Sequence, residues 1–300
     1  MYPKNVTLIQ EKCKRFLKKK PPGLEKKGFS AYLNKTNERN FDIRNAVREH
    51  RPEPPAIFRE DIMPDTIKLS IVIPVYNEEH YIDAILERVC SVRFQEGVEL
   101  EYIAVDDHST DKTWERLQAW EARGLKLKRH EANGGKGAAL HTGFAMATGD
   151  VVTVQDADFE YNPEELPSVL QPILDGKADV VFGARTPILR TGSQQVTPFW
   201  HAKINEFLTH FCNMFSNLAL SDMECCYKMV RRELLQKIKL NEKRFGFEPE
   251  FTLKIARLHP RVWQVPVSYA PRSYEEGKKI NWKDGVSALR CIVQYGLFRL

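Results

Sequence analysis

No stretch of the chain approaches the roughly 18–20 consecutive apolar residues that a membrane-spanning helix needs. The N-terminus also lacks an apolar signal core, so the sequence predicts an intracellular protein, cytoplasmic and either soluble or peripheral on the cytoplasmic face of a membrane. The six cysteines include no C-x-x-C pair, only the adjacent Cys225-Cys226, and read as reduced thiols in a cytosolic setting. A formal charge of +5 over 300 residues is modest, and nothing in it calls for a nucleic-acid partner. The glycine-rich turn Gly134-Gly135-Lys136-Gly137 lacks the full G-x-x-x-x-G-K-[ST] pattern, which excludes an NTPase phosphate loop.

What is present divides the chain into three parts. Residues 1–65 combine a basic tract, eight Lys and Arg between 12 and 27 against the single acid Glu25, with Pro21-Pro22-Gly23 and Pro52, Pro54 and Pro55. They read as an extension, and such a tract can serve anionic lipid or simply be a solvated charge run. Residues 66–275 alternate strand and helix patterns, with strands expected at 69–75, 102–105, 125–129, 151–154, 178–184 and 261–267. Residues 276–300 contain an amphipathic helix, expected over 282–298 with Val286, Leu289, Val293 and Leu297 on one side, suited to a membrane interface or to packing on the sheet. The fold class is α/β, a mainly parallel Rossmann-like sheet with helices on both faces, and the second half, with helices at 199–220 and 248–258, is a helical region.

The β-branched run Val151–Val154 ends abruptly in Asp156-Ala157-Asp158, with Glu160 two residues further on. In an open α/β sheet the carboxyl ends of strands are where ligands sit. Carboxylates spaced in this way can hold a hard divalent cation against a diphosphate, although an isolated D-x-D is also a common acidic turn. Polar clusters end three further strands, which favours the ligand reading.

The ordered series Ile73-Pro74-Val75-Tyr76-Asn77-Glu78, Val105-Asp106-Asp107-His108-Ser109-Thr110-Asp111, Gly134-Gly135-Lys136-Gly137 and Asp156-Ala157-Asp158 resembles the family 2 glycosyltransferases of GT-A fold. Together with Phe182-Gly183-Ala184-Arg185 and the late segment Val265-Pro266-Val267 to Arg272 and Glu276-Gly277-Lys278, it is most similar to the polyprenyl-phosphate (dolichol-phosphate) mannosyl- and glucosyltransferases. The Gln-x-x-Arg-Trp signature of processive polysaccharide synthases is missing. The resemblance implies that Pro74, Tyr76 and Glu78 line a nucleotide pocket and that Val105, Asp106 and Asp107 meet the base and ribose. It also implies that Asp156, Ala157, Asp158 and Glu160 surround Mg2+ or Mn2+ on the donor diphosphate, with Arg272 approaching from a late loop. Read from the residues alone, Tyr76 can simply pack, Asp106 or Asp111 can cap the following helix, and Lys136 can face donor phosphates or sit in a structural glycine turn.

For the acceptor, the resemblance implies Arg185 as a phosphate fork, with His201 where the family's second arginine falls and Lys203 close by. Glu248 stands where related enzymes can carry a lysine. Asp222 and Glu224 are the candidate bases if the acceptor is a neutral hydroxyl, or structural acids paired with Arg231 or Lys228. Three functions follow as expectations: inverting transfer of a hexose from a GDP- or UDP-sugar to a polyprenyl phosphate at a membrane surface or membrane partner, transfer to a soluble sugar, or a silent GT-A binding subunit.

Overall fold

Ile71-Val72-Ile73 and Val151-Val152-Thr153-Val154 carry branched side chains that pack well on a pleated surface, and both runs become the fully buried middle of the sheet. The computed structural model describes residues 66–185, 196–272 and 282–298, the last stretch by backbone alone at Trp282 and Lys283. The predicted extension 1–65 lies outside the described residues.

In chain order the elements are β1 (Ile67–Val75), α1 (Ile82–Ser91), β2 (Val98–Asp106), α2 (Thr113–Gln118), β3 (Lys126–Arg129), α3 (Lys136–Met146), β4 (Val151–Val154), α4 (Leu166–Leu174), β5 (Val180–Ala184), α5 (Phe199–Ser216), β6 (Lys228–Arg231), α6 (Arg232–Leu235), α7 (Phe247–Ala256), β7 (Val262–Pro266) and α8 (Trp282–Leu297). The strands form one sheet of order β3-β2-β1-β4-β6-β5-β7. All pairings are parallel except those of β6, which runs antiparallel between β4 and β5. Ile82, Ile85, Leu86 and Val89 give α1 a buried stripe at helical spacing, the pattern that docks a helix on a sheet. The carboxyl ends of β1, β2 and β4 lie side by side, in register at Val75 and Asp106, and this edge carries the acidic residues.

One element differs from the sequence reading, and the structure decides the orientation of another. Strand β6 is not expected from its four residues, because Lys228 and Arg231 bound it; the fold buries Lys228 by pairing it with Glu248 on α7. On α8 the core side is Ala288, Cys291, Ile292 and Tyr295, which pack toward α5 and α7. The row Val286, Leu289, Val293 and Leu297 faces outward instead. Helix α5 does likewise, with Trp200 73%, Phe207 58% and Met214 77% exposed, and Ile204 between them on the same stripe. Of the large apolar residues exposed among the described residues, all but Trp263 and Val196 lie on α8, on α5 or directly beside their ends. None of the described helices is long and apolar enough to cross a membrane.

Candidate functional site

The loops after β1 and β2 are stitched into one ledge. Asn77 adopts a left-handed backbone conformation (φ 49°), which aims its side-chain oxygen at the Thr110 N–H (2.8 Å) while its own N–H donates to Ser109 Oγ (2.9 Å). Asp111 accepts from the N–H groups of Glu79 and Thr113, so it caps this junction and α2; these bonds hold its carboxyl below the usual range despite burial. Asp106 is enclosed, accepts from the Ser109 N–H and pairs with Arg129 (3.1 Å). Neither Asp106 nor Val105, for both of which the resemblance implies contact with base and ribose, lines the cavity that opens at this edge.

That cavity has a volume of about 340 Å3, and its walls include Pro74, Tyr76, Glu78, Asp107, Lys136, Asp156, Ala157, Asp158, Glu160 and Arg272. The structure therefore brings together ten of the predicted residues from five separate stretches of chain. Asp107 reaches the wall with both oxygens already engaged. The N–H groups of Gly134 and Gly135 donate to them at 2.9 and 2.6 Å, and His130 Nδ1 lies 2.7 Å away. The anion in the glycine cradle is thus the protein's own aspartate.

The glycines have a second reason. The backbone of 242–244 crosses them so closely that a Cβ on Gly137 would lie 2.2 Å from the Glu242 carbonyl oxygen, and one on Gly135 2.7 Å from that of Lys243. Ala138 N–H fixes the crossing by donating to Lys243 O at 3.0 Å. Gly137→Ala is expected to destabilise the fold by about 3 kcal/mol, because backbone rather than a flexible side chain must yield. A urea-denaturation midpoint unchanged from wild type would contradict this packing.

Each acid of the Asp-Ala-Asp turn is held by a cation of the chain. Lys136 Nζ lies 2.7 and 3.0 Å from the two oxygens of Asp156. Burial disfavours both charges, yet their mutual attraction outweighs it, raising the lysine well above its ordinary value and lowering the aspartate. Arg272 spans two acids, with Nη2 2.7 Å from Asp158 Oδ2 and Nη1 3.1 Å from Glu78 Oε2. Asp158 is still pushed up to about 7, first by burial and then by the charges of Asp156 and Glu160. Glu160 accepts the Arg272 N–H (3.0 Å) and the Tyr269 hydroxyl (3.2 Å), so both its oxygens serve the late loop. Glu160 is thereby a tether for that loop in this state rather than an open ligand. Among the described residues no three His, Cys, Asp or Glu side chains converge as a ready-made metal cage.

The residues expected on the acceptor side form a cluster outside the cavity wall. Arg185 donates to Asp222 through Nε (2.7 Å), Nη2 (2.9 Å) and its backbone N–H (3.0 Å), and Asn205 of α5 bonds both partners. Burial works against the Asp222 anion, but Arg185 overcomes it and holds the carboxyl at about 2. The pairing expected with Arg231 or Lys228 does not form, since Arg231 pairs with Asp179 and Lys228 with Glu248. Glu224 is half-buried, with its Oε1 enclosed and lacking a hydrogen-bond partner among the described residues, and burial followed by the charge of Glu248 pushes it up to about 7. His201 lies in the first turn of α5, away from the cavity wall. The clusters meet at Tyr269, whose ring lies 4.9 Å from the Arg185 guanidinium carbon and whose hydroxyl reaches Glu160.

The sequence profile of glycosyl transferase family 2 matches residues 70–239, more than half of the chain. The chain belongs to this family. A dolichol-phosphate mannosyltransferase of Pyrococcus furiosus is 28% identical over 219 residues, covering 71% of this chain and 59% of that protein, so the chain spans about three-fifths of that relative's length. Among solved structures, glucosyl-3-phosphoglycerate synthase from Mycobacterium tuberculosis, in complex with Mn2+, UDP and glucosyl-3-phosphoglycerate, aligns with TM-score 0.58 at 19% identity over 77% of this chain and 81% of that one. S. aureus TarS 1–349 in complex with UDP aligns with TM-score 0.53 at 24% identity over 76% of this chain and 65% of that one. The fold of this family 2 glycosyltransferase is GT-A.

Some cavity residues of this glycosyltransferase escape sequence reasoning. Asn133 is tied to the Asp107 carbonyl (3.1 Å), and Arg244 and Phe245 come from the loop that crosses the glycine turn. Tyr269, which is not in the wall but bonds Glu160 there, also escapes it. Asn133 adjoins a motif and was within reach of inspection, whereas Arg244, Phe245 and Tyr269 carry no signal, since their place depends on where distant chain returns.

Proposed function

We propose that this glycosyltransferase moves a hexose with inversion from a nucleotide-sugar, of GDP-mannose or UDP-glucose type, to a polyprenyl phosphate on the cytoplasmic face of a membrane, acting as a peripheral protein. The supporting observation is the helix α5. Its inner side offers Asn205 to Arg185, and its outer side, with α8, carries an exposed apolar stripe that includes Trp200, Phe207 and Leu297. Exposed apolar rows on two helices that pack together suit a membrane or protein contact, and the aromatic side chains suit the headgroup boundary. A lipid acceptor needs its phosphate near a cation and its chain in an apolar phase, and one helix serves both needs.

The donor side fits a divalent cation, Mg2+ or Mn2+, which would be held by Asp158 and Asp156. Such cations take one or two carboxylates and complete their shell with phosphates and water, and the crowding that raises Asp158 is the surplus of acid that a cation relieves. Bound there, the cation would supply neutralising charge for the leaving nucleoside diphosphate. Lys136 orients Asp156, Glu160 anchors the Arg272 loop, and Arg272 adds a fork suited to the diphosphate. On the acceptor side Arg185, fixed in place by Asp222, presents its guanidinium to a phosphate oxygen that is already ionised and needs no base. With a carboxyl held at about 2 and bound to Arg185, Asp222 is suited to positioning rather than to proton removal. Glu224, pushed up to about 7, is the group that a neutral hydroxyl acceptor would require instead.

Labelled GDP-mannose or UDP-glucose, incubated with Mn2+, polyprenyl phosphate and the full chain, is expected to pass label into the lipid phase, with Glu224→Gln retaining most of the rate. Donor turnover without label in lipid, or abolition by Glu224→Gln together with label on a soluble sugar, would establish the second reading. The same chain is expected to float with anionic liposomes, and Trp200→Ser combined with Phe207→Ser and Leu297→Ser to remain at the bottom of the gradient.

A further inference from the structure

At the donor site every carboxylate that a divalent cation could use is already engaged by the chain itself. Asp156 carries Lys136, and both oxygens of Glu160 hold the 269–272 segment. Asp158 Oδ1 accepts the Glu160 N–H at 3.1 Å, and Oδ2 is taken by Arg272 at 2.7 Å. The Arg272 guanidinium, 13% exposed at its side chain, lies where positive charge is needed, shared between Asp158 and Glu78.

We propose that Arg272 is the resting counter-ion of the donor site, yielding Asp158 to the divalent cation only when a nucleotide-sugar brings it, while Glu78 acts as a positioning residue that retains the guanidinium beside the diphosphate. The inference rests on the metal-dependent donor reading above and adds an order of events to it: cation and nucleotide enter together. A bare cation must break a half-buried, charge-assisted contact and leaves the guanidinium with Glu78 alone. A diphosphate removes that penalty, because it supplies new oxygens to the cation and a new acceptor to Arg272.

The exchange falls at Asp158 rather than Asp156 for a structural reason. Lys136 begins α3, beside a glycine turn clamped by the 242–244 backbone. Arg272 is carried by a loop end, tied through Glu160 and the Tyr161–Tyr269 bridge, and its second partner Glu78 lies on the far ledge. The guanidinium can leave one acid and keep the other.

The experiment is Mn2+ binding to the full chain, followed by electron paramagnetic resonance with and without a nucleoside diphosphate. Wild type is expected to bind Mn2+ weakly alone and at least about tenfold more tightly with the nucleotide, the scale of one charge-assisted bond. Arg272→Gln and Arg272→Lys are both expected to bind nucleotide-free Mn2+ about tenfold more tightly than wild type. The lysine variant keeps the charge but loses the fork that reaches Asp158 and Glu78 together. Glu78→Gln is expected to weaken binding of nucleoside diphosphate but not of nucleoside monophosphate, a difference that general damage to the fold would not produce. Wild-type affinity for nucleotide-free Mn2+ equal to that of both Arg272 variants would overturn the exchange while leaving the metal reading intact. Failure of every form to bind Mn2+ even with nucleotide would overturn the metal reading, and the exchange with it.

Discussion

Asp158→Asn is expected to lower kcat/KM for sugar transfer by about 10²–10³-fold, the range seen when one preorganised group facing developing charge is removed. The substitution is nearly isosteric, and the Glu160 N–H can still donate to the amide oxygen that replaces Oδ1. What disappears is the negative charge at the turn. Asp158 is enclosed beside Asp156 and Glu160, so removing its charge relieves repulsion, although Arg272 loses its 2.7 Å partner and falls back on Glu78. The two effects oppose, and the denaturation midpoint is expected to stay near that of wild type. Steady-state kinetics beside a urea titration checks both halves. Retention of more than about a tenth of the wild-type rate would remove Asp158 from the donor chemistry.

Asp222→Ala carries the largest expected cost in stability, about 3 kcal/mol or more, because it removes the carboxylate that takes three donors of Arg185 and one of Asn205, leaving the guanidinium, among the described residues, only the Asn205 Oδ1 hydrogen bond. Three donors of Arg185 converge on this one carboxylate, and the residue is almost wholly buried. The pH dependence follows from the sign of the shift. The folded carboxyl, held at about 2, lies below the unfolded value of about 3.9, so the ion pair contributes fully above the higher value and is lost as pH falls through the lower one. Between about pH 4 and pH 2 the wild-type urea midpoint should therefore drop more steeply than that of the variant, and the difference between them should narrow. Equal stability at pH 7 would mean that the cluster contributes nothing to the fold. Acceptor affinity should fall as well, since Arg185 loses the group that aims it.

Much of the donor half is legible in the sequence because its signals are local. The β-branched run before Asp156 and the alternation of strand and helix patterns need only neighbouring residues to be read, and the structure keeps those elements at nearly the expected bounds. β6 is missed since its buried Lys228 is tolerable only with Glu248 opposite, twenty residues later in the chain. The sequence leaves open whether the Val286 row of α8 faces outward or packs on the sheet, for a related reason. Apolar residues lie on both of its sides, and the core takes the set Ala288, Cys291, Ile292 and Tyr295 that fits against α5 and α7. Periodicity identifies stripes; the shape of the neighbouring surface decides which one is covered.

By itself the sequence determined the order of elements, the acids at one sheet edge and, through four motifs in order, the family. The tertiary structure decided which charge answers which acid: Lys136 for Asp156, Arg185 for Asp222, and Arg272 for Glu78 across 194 residues of chain. It also decided that the glycine turn holds Asp107 and that α5 and α8 turn apolar rows outward. The physical reason is range. Backbone propensity and hydrophobic pattern act over a few residues, whereas the partner of a buried charge is whatever side chain the completed fold brings within about 3 Å.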